Sequence, residues 1–203
     1  MSLTLIIIAI TAVVSFLAFS NQQLMRRLIL WPPAITNGKE YWRLITSGLI
    51  HADGSHLLFN MITLYFFGPM AERTITAHLG PAGYVGFYVA ALVVSGLPSY
   101  LDHKNDENYF ALGASGAVLA VLFAFILQQP WSLIIFWFIP VPAIIYAVLY
   151  IAYSVYMARK GDTKIGHSAH LWGAAFGVAF VAVMDPHILG QFLERVTHPS
   201  SPF

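Results

Sequence analysis

The sequence predicts an all-α, polytopic membrane protein, a bundle of six transmembrane helices. Three observations carry that expectation. Hydrophobic residues make up 58% of the chain and charged residues 9%, with a mean hydropathy of +0.71. A soluble domain carries about 25% charged residues, and far fewer cannot coat a water-facing surface. The apolar runs are long and continuous rather than alternating, which favours helices over a barrel. The 203 residues hold about six spans with short connections. The same composition excludes an ordinary soluble enzyme, a disordered chain and a nucleic-acid binder, since a net charge of +1 leaves no basic footprint. Cysteine is absent, which removes disulfides, thiolate metal sites and cysteine nucleophiles.

The first span is Leu3 to Phe19. No positive residue precedes it and no small-residue cleavage site follows it, so it reads as a retained span rather than a signal peptide. Residues 21–55 form a long connection containing Arg26, Arg27, Trp31, Pro32, Pro33, Lys39, Trp42 and Arg43. It is too polar to span and aromatic enough to lie at the interface. The second span is 56–70 and the third 79–101, ended by the hydrophilic patch from Asp102 to Asn108. The fourth is 110–128. Pro130 to Pro142 is rich in Trp, Phe and Pro and does not read as one helix. The fifth span is 143–158, a basic loop runs from Arg159 to Lys164, and the sixth is 168–184, followed by a short amphipathic tail. No internal repeat is visible, which disfavours an inverted-repeat transporter.

Polar residues inside or at the ends of these runs need partners. In Gly113-Ala114-Ser115-Gly116, near the start of span four, the small residues suit close helix packing. Ser115 is also near the polar end of its span. Flanking glycines there can free N–H groups at a helix start for an oxyanion. In span six, Ala169, Gly173 and Gly177 recur every four residues as one small-residue stripe, and His170 lies beside it. Two reversals separate spans four and six, so they run in the same direction, which puts Ser115 and His170 at one membrane face and similar depth. A serine near an imidazole is the minimum for nucleophilic catalysis.

His56 and Asn60, four residues apart, share a helix face, with His51 just before the helix start near Asp53. They suit either a hydrogen-bonded helix entry or donors to an oxyanion. A metal reading would use His51, His56, His167 and His170, but no carboxylate or HExxH arrangement accompanies them. Arg43 could bind a phosphate head group or a carboxylate, and Glu72 could brace a loop. Both read first as structural.

Together these residues resemble the rhomboid family of intramembrane serine proteases. The resemblance runs from Trp42 to Asp185 in the family's order: Trp42-Arg43, then His51, His56 and Asn60, then Glu72, then the GxSG string at Gly113–Gly116, then Ala169–Gly177. The Ile139-Pro140-Val141-Pro142 stretch is similar to that of bacterial members. The resemblance implies a six-span rhomboid-like bundle in a bacterial inner membrane. It implies Ser115 as nucleophile and His170 as general base, with His56, Asn60 and the Ser115 N–H as oxyanion hole. His51, Gly113, Gly116, Gly173, Gly177, Trp42, Arg43 and Glu72 would support the fold and site. Substrates would be transmembrane segments of other proteins, among membrane lipids, with no metal, nucleotide or nucleic acid.

Two features depart from the family. Where some bacterial members stack a tyrosine on the histidine, four residues after the serine, this chain has Leu119. Family members of this form also keep their termini cytoplasmic. Yet the connections after spans one, three and five carry Arg26, Arg27, Lys39, Arg43, Lys104, Arg159, Lys160 and Lys164, against Arg73 and Arg195 on the other side, and the positive-inside rule points the opposite way. The alternatives are a catalytically inactive relative that binds transmembrane helices and a histidine-based metal-binding membrane protein.

Overall fold

The computed structural model describes residues 2–136, 138–160 and 166–198. Its helices are α1 (Leu3–Ser20), α2 (Gln22–Leu28), α3 (Pro32–Gly38), α4 (Arg43–Thr46), α5 (Gly54–Asp102), α6 (Ser115–Gln128), α7 (Ala143–Lys160), α8 (His167–Met184) and α9 (Ile188–Thr197). α5 is 49 residues long, but Gly80, at φ +71°, breaks it into arms 54–79 and 81–102, a conformation that costs glycine little. α1, α5 and α8 are long and apolar enough to cross a membrane, and α6 is a shorter apolar helix.

α6 is buried along nearly its whole length, from Gly116 to Gln128, as expected of a helix that is hydrophobic all round. The second arm of α5 and α8 wrap one side of it, with Tyr84, Phe87 and Ala91 in its cluster and Phe176 and Phe180 packed on. α7 covers another side through Ala143, Ala147, Tyr146 and Tyr150. The chain directions follow from named pairs. Thr4 touches Tyr84 while Ser15 touches His51, so α1 runs against the first arm. Thr74 donates to Gln128 and Ala114 donates to His51, so α6 runs with it.

The structure corrects two boundaries. The helix expected over 110–128 begins at Ser115, because residues before it pair as extended backbone: Leu30 and Ala111 exchange two hydrogen bonds of 3.0 and 3.1 Å. The helix expected over 56–70 continues through Pro69 to residue 79. Residues 133–142 form an antiparallel hairpin, β1 (Leu133–Phe136) and β2 (Ile139–Pro142), so the fold is mostly rather than wholly helical. A two-stranded ribbon tolerates Pro140 and Pro142 because both of its strands are edges. The connection over 21–55 is not a free linker but α2 to α4 and a 3-10 turn, Ser47–Leu49. The expected basic loop lies outside the described residues from 161 on.

Candidate active site

The backbone entering α6 is fixed from both sides. The Gly113 N–H donates to the Ser47 carbonyl at 2.9 Å, and Gly113 itself has φ +110°. A Cβ built there would lie 2.6 Å from Cε1 of His56, so only glycine admits both the backbone turn and the imidazole against it. The next N–H, that of Ala114, donates to Nε2 of His51 at 3.3 Å. Nδ1 of His51 meets Ser15 Oγ at 2.9 Å, and the Ser15 hydroxyl donates to the Leu49 carbonyl at 2.9 Å. The whole chain is satisfied by one neutral tautomer, Nδ1–H donating to Ser15 and bare Nε2 accepting from Ala114. His51 is fully buried. That burial, with His56 beside it and only partial relief from Asp53, pushes its pKa from 6.5 down to about 4.

α8 meets α6 backbone to backbone. A Cβ on Gly173 would overlap the Gly116 backbone, and one on Gly177 would overlap that of Ala120. This close crossing is what the small-residue stripe permits. It carries His170 to the first turn of α6, where its Nε2 lies 2.7 Å from Ser115 Oγ. Its Nδ1 lies 2.8 Å from the phenol oxygen of Tyr150, from α7.

His56 and Asn60 sit one turn apart on the first arm of α5. The His56 ring stands edge-on to His51 at 4.9 Å. Asn60 is buried, with Nδ2 donating to the His56 carbonyl at 2.9 Å. Asp53 caps this helix, accepting from the His56 N–H at 2.8 Å and the Ser55 hydroxyl at 2.5 Å. Those two donors hold its carboxyl below the usual range. Each of the first N–H groups of α6 lacks an intrahelical acceptor by its position, so these N–H groups and the Ser115 hydroxyl gather at one helix end.

The remaining expected residues lie further off. Arg43 is buried: Nε donates to Glu40 at 2.6 Å, and Nη1 reaches the Arg26 and Ile29 carbonyls at 2.8 Å each. It therefore caps the end of α2 rather than meeting lipid. Neighbouring Trp42 is half exposed. Glu72 is at the far end of the first arm, where it accepts from the Ser2 hydroxyl and the Leu3 and Thr4 N–H groups at 2.6, 2.8 and 2.9 Å. It braces the start of α1, not a loop. His167 stacks edge-on to His170 at 5.9 Å. Among the described residues no group of three His, Cys, Asp or Glu side chains could hold a metal ion.

One contact escaped the sequence reading. Tyr150 fills the place beside the histidine that Leu119 leaves without an aromatic. Both side chains belong to the same cluster, but the phenol comes from a different helix. The signal was present as the spacing of Tyr146, Tyr150 and Tyr153, which puts three tyrosines on one face of α7.

A family model described as the Rhomboid domain matches residues 38–186. RHOMBOID-like protein 12, mitochondrial, of Arabidopsis thaliana is 32% identical over 174 residues, covering 77% of this chain and 50% of that protein. Rhomboid protease GlpG of Haemophilus influenzae is 26% identical over 152 residues, covering 74% of this chain and 73% of that protein. The matched stretch spans half the length of the Arabidopsis relative.

Proposed function

The chain belongs to the rhomboid family of integral membrane proteins, and from that premise we propose that it is an intramembrane serine endopeptidase that cleaves transmembrane segments of other membrane proteins. The observation that carries the reading is the 2.7 Å approach of His170 Nε2 to Ser115 Oγ at the start of a buried helix. It is the hydrogen bond a nucleophile and its base require.

In this reading Ser115 Oγ attacks the scissile carbonyl carbon as its proton passes to His170 Nε2. The carbonyl oxygen becomes an oxyanion facing the Ser115 N–H, His56 and Asn60. His170 then returns the proton to the leaving amine as the C–N bond breaks. Water, deprotonated by the same imidazole, hydrolyses the acyl-enzyme and restores Ser115. Losing one oxyanion donor in an acyl-transfer enzyme costs about 10²–10³ in rate.

α1, the two arms of α5, α6, α7 and α8 make six crossings in this proposal, and the protein resides in a bacterial plasma membrane. Its termini face the cytoplasm and Ser115 opens to the outer side. The positive-inside count argues the reverse, but Arg43, one of its eight contributors, is neutralised by Glu40 and buried. The test is fluorophosphonate labelling of the purified protein in detergent. Wild type labels, and Ser115→Ala and His170→Ala do not. Absence of wild-type labelling where an active serine protease reacts shifts the assignment to a helix-binding relative without catalysis. Equal labelling of Ser115→Ala assigns the wrong serine.

A further inference from the structure

The side of the His170 ring away from the serine has a partner of its own. Its Nδ1 lies 2.8 Å from the Tyr150 phenol oxygen. The phenol is held by packing: the Tyr146 ring stacks on it at 5.6 Å and 20°, and Phe123 of α6 lies at 6.4 Å. α7 packs on α6 and α8 through the small buried residues Ala143 and Ala147, which share a cluster with Leu119 and Phe123 of α6 and Ala174 of α8. That lets the tyrosine face reach the histidine.

A neutral imidazole carries one proton, on either nitrogen. If Nε2 holds it, the ring donates to Ser115 and cannot accept its proton. If Nδ1 holds it, Nε2 is bare and faces the hydroxyl. A phenol can donate to a bare Nδ1 or accept from an Nδ1–H; accepting, it selects the second form and keeps a partner for the Nδ1–H once both nitrogens are protonated. Leu119 can offer the ring only apolar contact.

We propose that Tyr150 is a positioning residue for His170: its phenol oxygen accepts the Nδ1–H, fixing the ring plane and the tautomer in which Nε2 is the base. This rests on the assignment of Ser115 and His170 above. A phenol is neutral, so its contribution is that of one ordinary hydrogen bond, smaller than that of the carboxylate in a Ser-His-Asp triad.

The test combines Tyr150→Phe, which keeps the ring and removes the oxygen, with ¹⁵N NMR of the imidazoles, His170 being assigned by its loss in His170→Gln. Wild-type His170 is expected as the Nδ1–H tautomer at neutral pH. Tyr150→Phe is expected to shift it toward a mixture and to slow fluorophosphonate labelling of Ser115 about tenfold. With a peptide substrate, kcat should fall by the same factor with KM unchanged. An Nε2–H tautomer in the wild type overturns the proposal without any variant. So does a Tyr150→Phe protein that labels at the wild-type rate with its tautomer unchanged, and in that case Ser115 and His170 keep their roles. If wild type does not label but Tyr150→Phe still changes the tautomer, positioning stands and the protease assignment fails.

Discussion

The α-carbon of Gly173 packs against the peptide backbone of Gly116, with no room for a methyl group between them. Gly116 follows Ser115 and Gly173 is three residues after His170, so this contact sets how far apart the hydroxyl and the imidazole stand. This backbone approach brings the two helices close enough for the 2.7 Å hydrogen bond.

Gly173→Ala is therefore expected to push α8 off α6. Overpacking of this kind costs about 1–3 kcal/mol, and a displacement of about 1 Å at the site can cost 10²-fold in rate. The melting temperature and the Ser115 labelling rate should both fall. Gly190→Ala, where an added methyl meets nothing within 4 Å, should change neither. Wild-type labelling by Gly173→Ala would show that the crossing does not set the site.

Glu72 acts at the other end of the bundle. Its carboxylate takes two backbone N–H groups and a hydroxyl at the start of α1, the end of a helix that favours negative charge. Glu72→Gln should lower stability by about 1 kcal/mol and Glu72→Ala by more. Glu72 lies sixteen residues beyond His56, about 24 Å along the helix. Labelling below the melting temperature should therefore stay at the wild-type rate, and a matching loss of labelling would contradict a purely structural role.

His51 makes the fold sensitive to acid. Its folded-state pKa, about 4, lies below the 6.5 of the free side chain. Between those values the unfolded chain binds the proton more readily than the folded one. The neutral ring thus stabilises the fold fully above about pH 6.5, and that stabilisation is lost as pH falls toward about 4. Protonation would also end the acceptor role of Nε2 toward Ala114. In detergent the melting temperature of wild type should fall through this window more steeply than that of His51→Gln, which should be less stable at neutral pH. Parallel profiles would rule out His51 as the titrating group.

Much of the helical framework was legible because it depends on composition and period. A chain with so few charges can only bury its runs, and the stripe of Ala169, Gly173 and Gly177 has the spacing of a packed helix face. The order of Ser115 and His170 in parallel helices likewise follows from counting reversals. The start of α6 was not legible. Hydrophobicity is blind to the positive φ of Gly113 and to the pairing of Leu30 with Ala111, and so extended the helix five residues too far. The hairpin at 133–142 was hidden for a similar reason: prolines signal where a helix stops, not what replaces it.

What the amino-acid sequence determined by itself is therefore the lipid-facing, helical character of the chain and the residue types that can carry acyl-transfer chemistry. These are local properties of hydropathy and side-chain functional groups. The tertiary structure alone decided who meets whom. Arg43 and Glu72 bond mainly to backbone carbonyls and amides of distant helices, groups every residue possesses and no side-chain pattern marks. Tyr150 reaches His170 across twenty residues of chain. It does so because α7 lies against α6 and α8 through small residues, a fact of packing between helices rather than of spacing within one.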